Sequence, residues 1–199
     1  MDNEFVVDLE SLENYARENF IPVVPTETAH FLGNLIKEYQ PKNILEIGTA
    51  IGYSGTLMLK NSSDATLTTL DIDHERLELA KKTFSKFNLS KRVNVLEIDA
   101  MDFLKNCKSK FDFIFLDGPK GQYIKYLPLL KNTLCKNGLL VADDVNFMGK
   151  VLSDEYPVHK HRTFIVNLRK FLQEIQNDVD FESTMYHIGE CVLVAKKIK

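Results

Sequence analysis

Cysteine is scarce in this chain of 199 residues: Cys107, Cys135 and Cys191 are odd in number and far apart. No pair has zinc-ligand spacing and no disulfide framework follows, so three buried thiols are expected. No run approaches the roughly 20 consecutive apolar residues that a membrane helix needs, and no membrane partner is predicted. The opening MDNEFVVDLESLENY is acidic and lacks a basic-then-apolar signal pattern, which predicts a cytoplasmic, unprocessed protein. An excess of positive charge is missing too. With 25 Lys and Arg against 28 Asp and Glu, the net charge is −3, and no global attraction for nucleic acid follows. Two basic stretches, residues 81–92 and 150–170, carry five Lys or Arg each, and a solvated helix face explains either. Repeats, low-complexity tracts and linkers are absent, so residues 1–199 read as a single domain, with N-terminal helices in 1–42 and a core in 43–199.

What is present is alternation. Apolar, β-rich runs recur at NILEIG (43–48), TLTTLDI (66–72), VNVLEI (93–98), FDFIFLD (111–117) and GLLVAD (138–143). Helix-like segments lie between them, such as HERLELAKKTFSKF (74–87) and IKYLPLLKNTL (124–134), the second with Pro128 as a point to kink. Strands of this kind alternating with helices indicate a parallel sheet covered on both faces. The runs FESTMYHI (181–188) and ECVLVAKK (190–197) are separated by Gly189 alone, a gap that permits only an antiparallel hairpin. Two helices, 9–20 and 27–40, precede the first strand. The expected fold is α/β: a Rossmann-like, doubly wound, seven-stranded sheet, mostly parallel, with a C-terminal antiparallel hairpin and extra N-terminal helices. Ligands of such sheets sit beyond the carboxyl ends of the strands. Glu46, Asp71, Asp99, Asp117 and Asp143 all stand at such ends.

The first strand runs into EIGTAIGYSG, with glycines at 48, 52 and 55. The dinucleotide fingerprint needs a second glycine where Ala50 stands, and no Gly-Lys-Ser/Thr follows to make a phosphate-binding Walker loop. Glu46, just before the turn, would repel a phosphate but can organise loop amides or a cationic ligand. Asp71 ends the next strand, where an acid can accept from both ribose hydroxyls. Ribose recognition without phosphate recognition points to a nucleoside, and S-adenosylmethionine, with its sulfonium and amino-acid tail, fits.

ILEIGTAIGYS, TLDIDHERLELAKK, LDGPKGQY and LLVADDV, in that order and spacing, resemble the class I S-adenosylmethionine-dependent methyltransferases. More narrowly, they are similar to the metal-dependent O-methyltransferases of the catechol and caffeoyl-CoA type, from about Val24 to the final hairpin. The resemblance places Glu46, Gly48 and Ser54 against the methionine part of the cofactor, Asp71 on the ribose, Asp99 and Ala100 beside the adenine, and Val24 on a loop closing over it. It assigns Asp117, Asp143 and Asp144 to a metal ion, with Asp117 also bordering the cofactor. Oxygen ligands of this kind suit Mg²⁺. The catechol pattern has Asp-Asn where this chain has Asp143-Asp144, and the added carboxylate tightens the site or favours Mn²⁺; the bland alternative is that Asp144 caps a turn. Lys120 matches the family's general base, although a lysine is ordinarily protonated at neutral pH.

A metal held this way favours an acceptor with two adjacent oxygens, which both catechols and 5-hydroxyuridine offer. HKHRTFIVNLRKFL (159–172), together with the motifs above, resembles bacterial tRNA 5-hydroxyuridine methyltransferases, which make 5-methoxyuridine at the wobble position. That resemblance implies the tRNA anticodon loop as partner, with Lys160, Arg162 and Arg169 as phosphate contacts beside His159 and His161. The alternatives are a small-molecule catechol or hydroxycinnamoyl-CoA O-methyltransferase, and a non-catalytic cofactor-binding protein. Relatives of this type are commonly homodimers, and the N-terminal helices offer interface material or pack within one chain.

Overall fold

The computed structural model describes residues 8–153, 157 and 159–199. They fall into two compact units, Met1–Asp99 and Ala100–Lys199.

The first unit begins with α1 (Leu9–Glu18), whose start is fixed by Asp8: its carboxylate accepts from the Ser11 amide at 2.8 Å and from the Ser11 hydroxyl at 2.7 Å. Helix α2 (Thr26–Tyr39) follows, then β1 (Asn43–Ile47), α3 (Tyr53–Lys60), β2 (Thr66–Asp71), α4 (His74–Lys86) and β3 (Val93–Glu97). Strand β2 pairs in parallel with β1 on one side and β3 on the other, in a register that puts Glu46 beside Thr69 and Asp71 beside Glu97. Four of the five β1 residues are buried, as a strand covered on both faces requires. Arg92 braces the entry to β3. Its guanidinium donates to the carbonyls of Leu59, Ser62 and Ala65 at 2.8–3.1 Å, so one member of the first basic stretch serves as an internal clamp.

The second unit holds α5 (Ala100–Asn106), β4 (Phe111–Leu116), α6 (Tyr123–Thr133), β5 (Leu134–Ala142), α7 (Arg162–Asn177), β6 (Phe181–Tyr186) and β7 (Val192–Lys197). Strand β4 pairs in parallel with β5, β5 in antiparallel fashion with β7, and β7 likewise with β6. Strand β5 starts four residues earlier than the sequence predicts. The register slips between Phe111 and Phe113, and Gly138 lies where the slip is absorbed: a Cβ there would stand 2.7 Å from Leu134 Cδ1 and 2.9 Å from the Cys135 carbonyl. Helix α6 runs through Pro128, which is exposed, so the hydrogen bond lost to the ring faces water. Helix α7 buries Ile165, Leu168, Phe171, Leu172 and Ile175, one apolar stripe at helical spacing. The hairpin is shorter than predicted because residues 190–191 pair elsewhere: their carbonyls accept from the Asn146 and Val145 amides at 2.8 and 3.1 Å.

Among the described residues no helix is long and apolar enough to cross a membrane. Of the three cysteines, Cys191 is buried and Cys107 and Cys135 are partly exposed; all are free thiols.

Candidate active site

In the first unit two of the predicted cofactor residues, Glu46 and Ser54, are joined directly. The Glu46 carboxylate is fully buried, and its two oxygens accept from the Ser54 and Thr69 hydroxyls at 2.6 Å each. Burying an ionised carboxylate is costly unless it is hydrogen-bonded, and these hydroxyls supply part of that compensation. Ser54 and Glu46 stand eight residues apart in the sequence, and the turn brings them together. Thr69 was not foreseen; its signal was its place in β2, opposite Glu46 in the register. Gly48, with φ near 106°, and Gly52, with φ near 81°, take conformations that side chains disfavour and set the chain into α3. Asp71 is a turn organiser: Oδ2 accepts from the Ala50 amide at 3.0 Å and Oδ1 from the amides of Ile72 and Asp73 at 2.8 and 3.1 Å. A carboxylate has about four acceptor sites, so one remains for a ribose hydroxyl. Asp99 is exposed just beyond β3, and Val24 is buried in the connection from α1 to α2, a core position. Ala100, the first residue of α5, is buried and belongs to the second unit.

A second carboxylate network went unread in the sequence. Glu13, on α1, accepts from Thr26 at 2.6 Å and from the Tyr53 hydroxyl at 3.2 Å, and pairs with Arg17. Burial, reinforced by Glu13, pushes the Tyr53 phenol up to about 12. A cavity of about 410 Å³ opens above this network between α1, α2 and α3.

The second unit gathers the reactive groups. Asp117 leaves β4, and the turn through Gly118 and Pro119 returns Lys120 onto it: Lys120 Nζ stands 2.8 Å from Asp117 Oδ1 and 3.3 Å from Asp144 Oδ2. Tyr123 steadies the turn from below, its buried hydroxyl donating to the Leu116 carbonyl at 3.0 Å. The Asp143 amide donates to the same carbonyl at 3.1 Å, extending the β4–β5 pairing to the acid pair. Asp143 is almost fully buried, and burial together with the nearby Asp117 pushes its carboxyl up to about 7. Asp144 is also raised, by burial, with Lys120 opposing. Burial alone lowers the Lys120 amine, but Tyr123, Asp117 and Asp144 outweigh it and hold the ammonium form well above the usual lysine range.

Two of the three acids, Asp117 and Asp144, therefore flank an ammonium. Among the described residues no group of three or more His, Cys, Asp or Glu stands close enough together to hold a metal ion, so the predicted ligand set is not assembled as such. The reason is geometric: Lys120 occupies the space between Asp117 and Asp144 and balances their charge. The donor set nevertheless suits a hard divalent cation in kind, because its oxygens are carboxylates: Asp117 and Asp144 flank Lys120, and the buried Asp143 is close enough to feel Asp117.

The basic segment divides. Lys160 is exposed, Arg162 opens α7 and is partly buried, and His161 joins a ring cluster with Phe147 and Phe164. Arg169 is a correction to the sequence reading. Its guanidinium donates to the carbonyls of Lys150, Val151 and Ser153 at 2.6–2.9 Å, so it holds a loop and is not presented to a phosphate.

An O-methyltransferase family model matches residues 4–198. An Arabidopsis thaliana protein with a provisional caffeoyl-CoA O-methyltransferase name is 31% identical over 88% of this chain and 78% of its own. A solved structure from Staphylococcus aureus, with the same provisional name, superposes with a TM-score of 0.88 at 25% identity, covering 96% of this chain and 93% of that one. The O-methyltransferase from Bacillus cereus, solved in complex with S-adenosylhomocysteine, shares the fold at a TM-score of 0.83 and 24% identity, over 98% of this chain and 94% of that one. The architecture is thus the α/β Rossmann-like methyltransferase fold, seven-stranded and mostly parallel with antiparallel strands at its C-terminal end. The chain belongs to the S-adenosylmethionine-dependent O-methyltransferase family.

Proposed function

We propose that this enzyme methylates one of two adjacent oxygens on a catechol-type small molecule such as a hydroxycinnamoyl-CoA ester. One observation carries the reading: Lys120 is held between Asp117 and Asp144, an amine and carboxylates at one spot. The buried Glu46, with Ser54, favours the positively charged methionine end of the cofactor, and Asp71 has acceptor capacity left for its ribose. Asp117, Asp143 and Asp144 would hold a divalent cation such as Mg²⁺ or Mn²⁺, which when bound lowers the pKa of an acceptor hydroxyl. Lys120 is the residue placed to take the acceptor's proton at Nζ, and Asp117 and Asp144 beside it hold the ammonium that results. The remaining acceleration comes from alignment of the acceptor oxygen with the cofactor's methyl group.

A tRNA carrying 5-hydroxyuridine is the second reading, supported by exposed Lys160 and His159 and weakened by the internal role of Arg169. Methyl-labelled cofactor with Mg²⁺, offered caffeoyl-CoA in one reaction and 5-hydroxyuridine-containing tRNA in another, separates the two. Label in the methoxy product of caffeoyl-CoA supports the first reading. Label only in 5-methoxyuridine replaces it with the second, and label in neither product rejects both.

A further inference from the structure

Helix α7 grips two separate loops of the second unit, through side chains only two residues apart. Asn167 Nδ2 donates to the Gly121 carbonyl at 3.0 Å, within the turn that starts at Lys120. Phe164 lies against the same glycine, so closely that a Cβ there would stand 3.3 Å from the phenylalanine Cβ. Arg169 holds the other loop, the one that follows Asp143 and Asp144. Three backbone carbonyls, of Lys150, Val151 and Ser153, converge on its guanidinium.

That second loop needs an external brace. Phe147, Met148 and Gly149 all have φ between 38° and 73°, a region that non-glycine residues occupy when the surroundings enforce it. Internal bonds from the Val151 amide to the Asn146 carbonyl, and from the Leu152 amide to Asn146 Oδ1, close the loop on itself at 3.0 and 3.1 Å. So braced, it presents Met148 and Leu152 to solvent at 66% and 48% exposure, an apolar surface with no core to fill. The acids before it are anchored independently, because the Val145 and Asn146 amides bond to the carbonyls of Cys191 and Glu190. Loss of Arg169 should therefore free residues 147–153 and leave Asp143 and Asp144 in place.

We infer that Asn167 and Arg169 are positioning residues with separate duties: Asn167 aims the Lys120 turn at the reacting oxygen, and Arg169 fixes residues 147–153 as the wall against which the body of the acceptor rests. This assignment builds on the reading of Lys120 as the residue that takes the acceptor's proton. In consequence Asn167 acts on turnover and Arg169 on acceptor affinity.

Two measurements on the full chain test it. In hydrogen–deuterium exchange, Arg169→Gln should speed exchange across residues 147–153 and spare 120–123, and Asn167→Ala should do the reverse. In kinetics with caffeoyl-CoA, Arg169→Gln should raise the acceptor KM about tenfold with kcat within about twofold, and Asn167→Ala should lower kcat about tenfold with KM little changed. Arg169→Lys, able to reach one carbonyl but not three, should recover part of the KM. Exchange spreading through both loops in either variant, or KM and kcat moving together in both, overturns the assignment. If the unmodified enzyme does not methylate caffeoyl-CoA, the substrate reading fails separately; the exchange pattern then decides alone, independent loops supporting the assignment and coupled loops overturning it.

Discussion

Replacing Gly55 with alanine sets two opposing effects against each other at the heart of the first unit. Alanine is favoured over glycine inside a helix by about 1 kcal/mol, and by less near the start of α3, where Gly55 stands. Against this, a Cβ at Gly55 would stand 2.7 Å from Leu67 Cδ2, 3.0 Å from Phe84 Cζ and 3.1 Å from Glu46 Oε2. Leu67 and Phe84 are each only 1% exposed, so neither can swing into open space. Overpacking of this kind costs about 1–3 kcal/mol. The displaced Glu46 would also strain its bonds to Ser54 and Thr69, each worth about 0.5–1.5 kcal/mol, and loosening them adds to the loss. Steric cost wins, and Gly55→Ala should lose about 1–3 kcal/mol in urea unfolding and weaken S-adenosylhomocysteine binding by calorimetry. Gly33→Ala is the control. Its nearest neighbour is Asn61 Nδ2 at 3.2 Å, a milder contact than any at Gly55 although that amide also donates to the Leu57 carbonyl at 2.8 Å, so the helical gain of about 1 kcal/mol is offset only in part and the variant should cost less than Gly55→Ala. A Gly55→Ala protein as stable as the Gly33→Ala protein, with unchanged cofactor affinity, would refute the packing argument.

Three further outcomes follow. Lys120→Ala should cut turnover by at least about 100-fold while S-adenosylhomocysteine affinity stays within a few-fold; unchanged turnover removes the base assignment. Excess EDTA should abolish methyl transfer and added Mg²⁺ restore it, whereas full activity in EDTA contradicts the role given to the three acids. Asp143→Asn tests the buried acid in metal-free protein. Because the folded-state pKa is raised, from 3.8 to about 7, protonation favours the native state: no penalty exists below pH 4, and stability is lost as pH rises toward 7. The variant should exceed the unmodified protein by up to about 4 kcal/mol above pH 7, with the gap closing near pH 4, and a pH-independent gap would show that burial is not the cause.

The strands and most helices were legible because burial on both faces writes itself as apolar runs, and those runs end within a residue or two of the observed strands. Strand β5 was misjudged at its start, since Lys136 and Asn137 look like a loop and only the Gly138 slip lets the chain pair through them. At the site, the meeting of Asp117 with Lys120 was readable from a three-residue spacing around Gly-Pro. Thr69, Asn167 and the Glu13–Tyr53 pair were not, because each acts through a contact made only after distant segments pack. Arg169 misled for a related reason. A sequence displays the charge of an arginine but not the backbone carbonyls that surround it, and Arg92 repeats the lesson in the other unit.

The ring cluster of Phe147, His161 and Phe164 has an optical consequence. Tryptophan is absent from the entire chain, so its ultraviolet emission is dominated by seven tyrosines and lacks any indole band. A single indole introduced as Phe147→Trp would be the sole long-wavelength fluorophore, seated where Phe147 now packs 4.5 Å from Phe164 and 5.5 Å from His161. Its colour and anisotropy would then follow the tip of one loop in real time, without a dye and without background from the rest of the molecule.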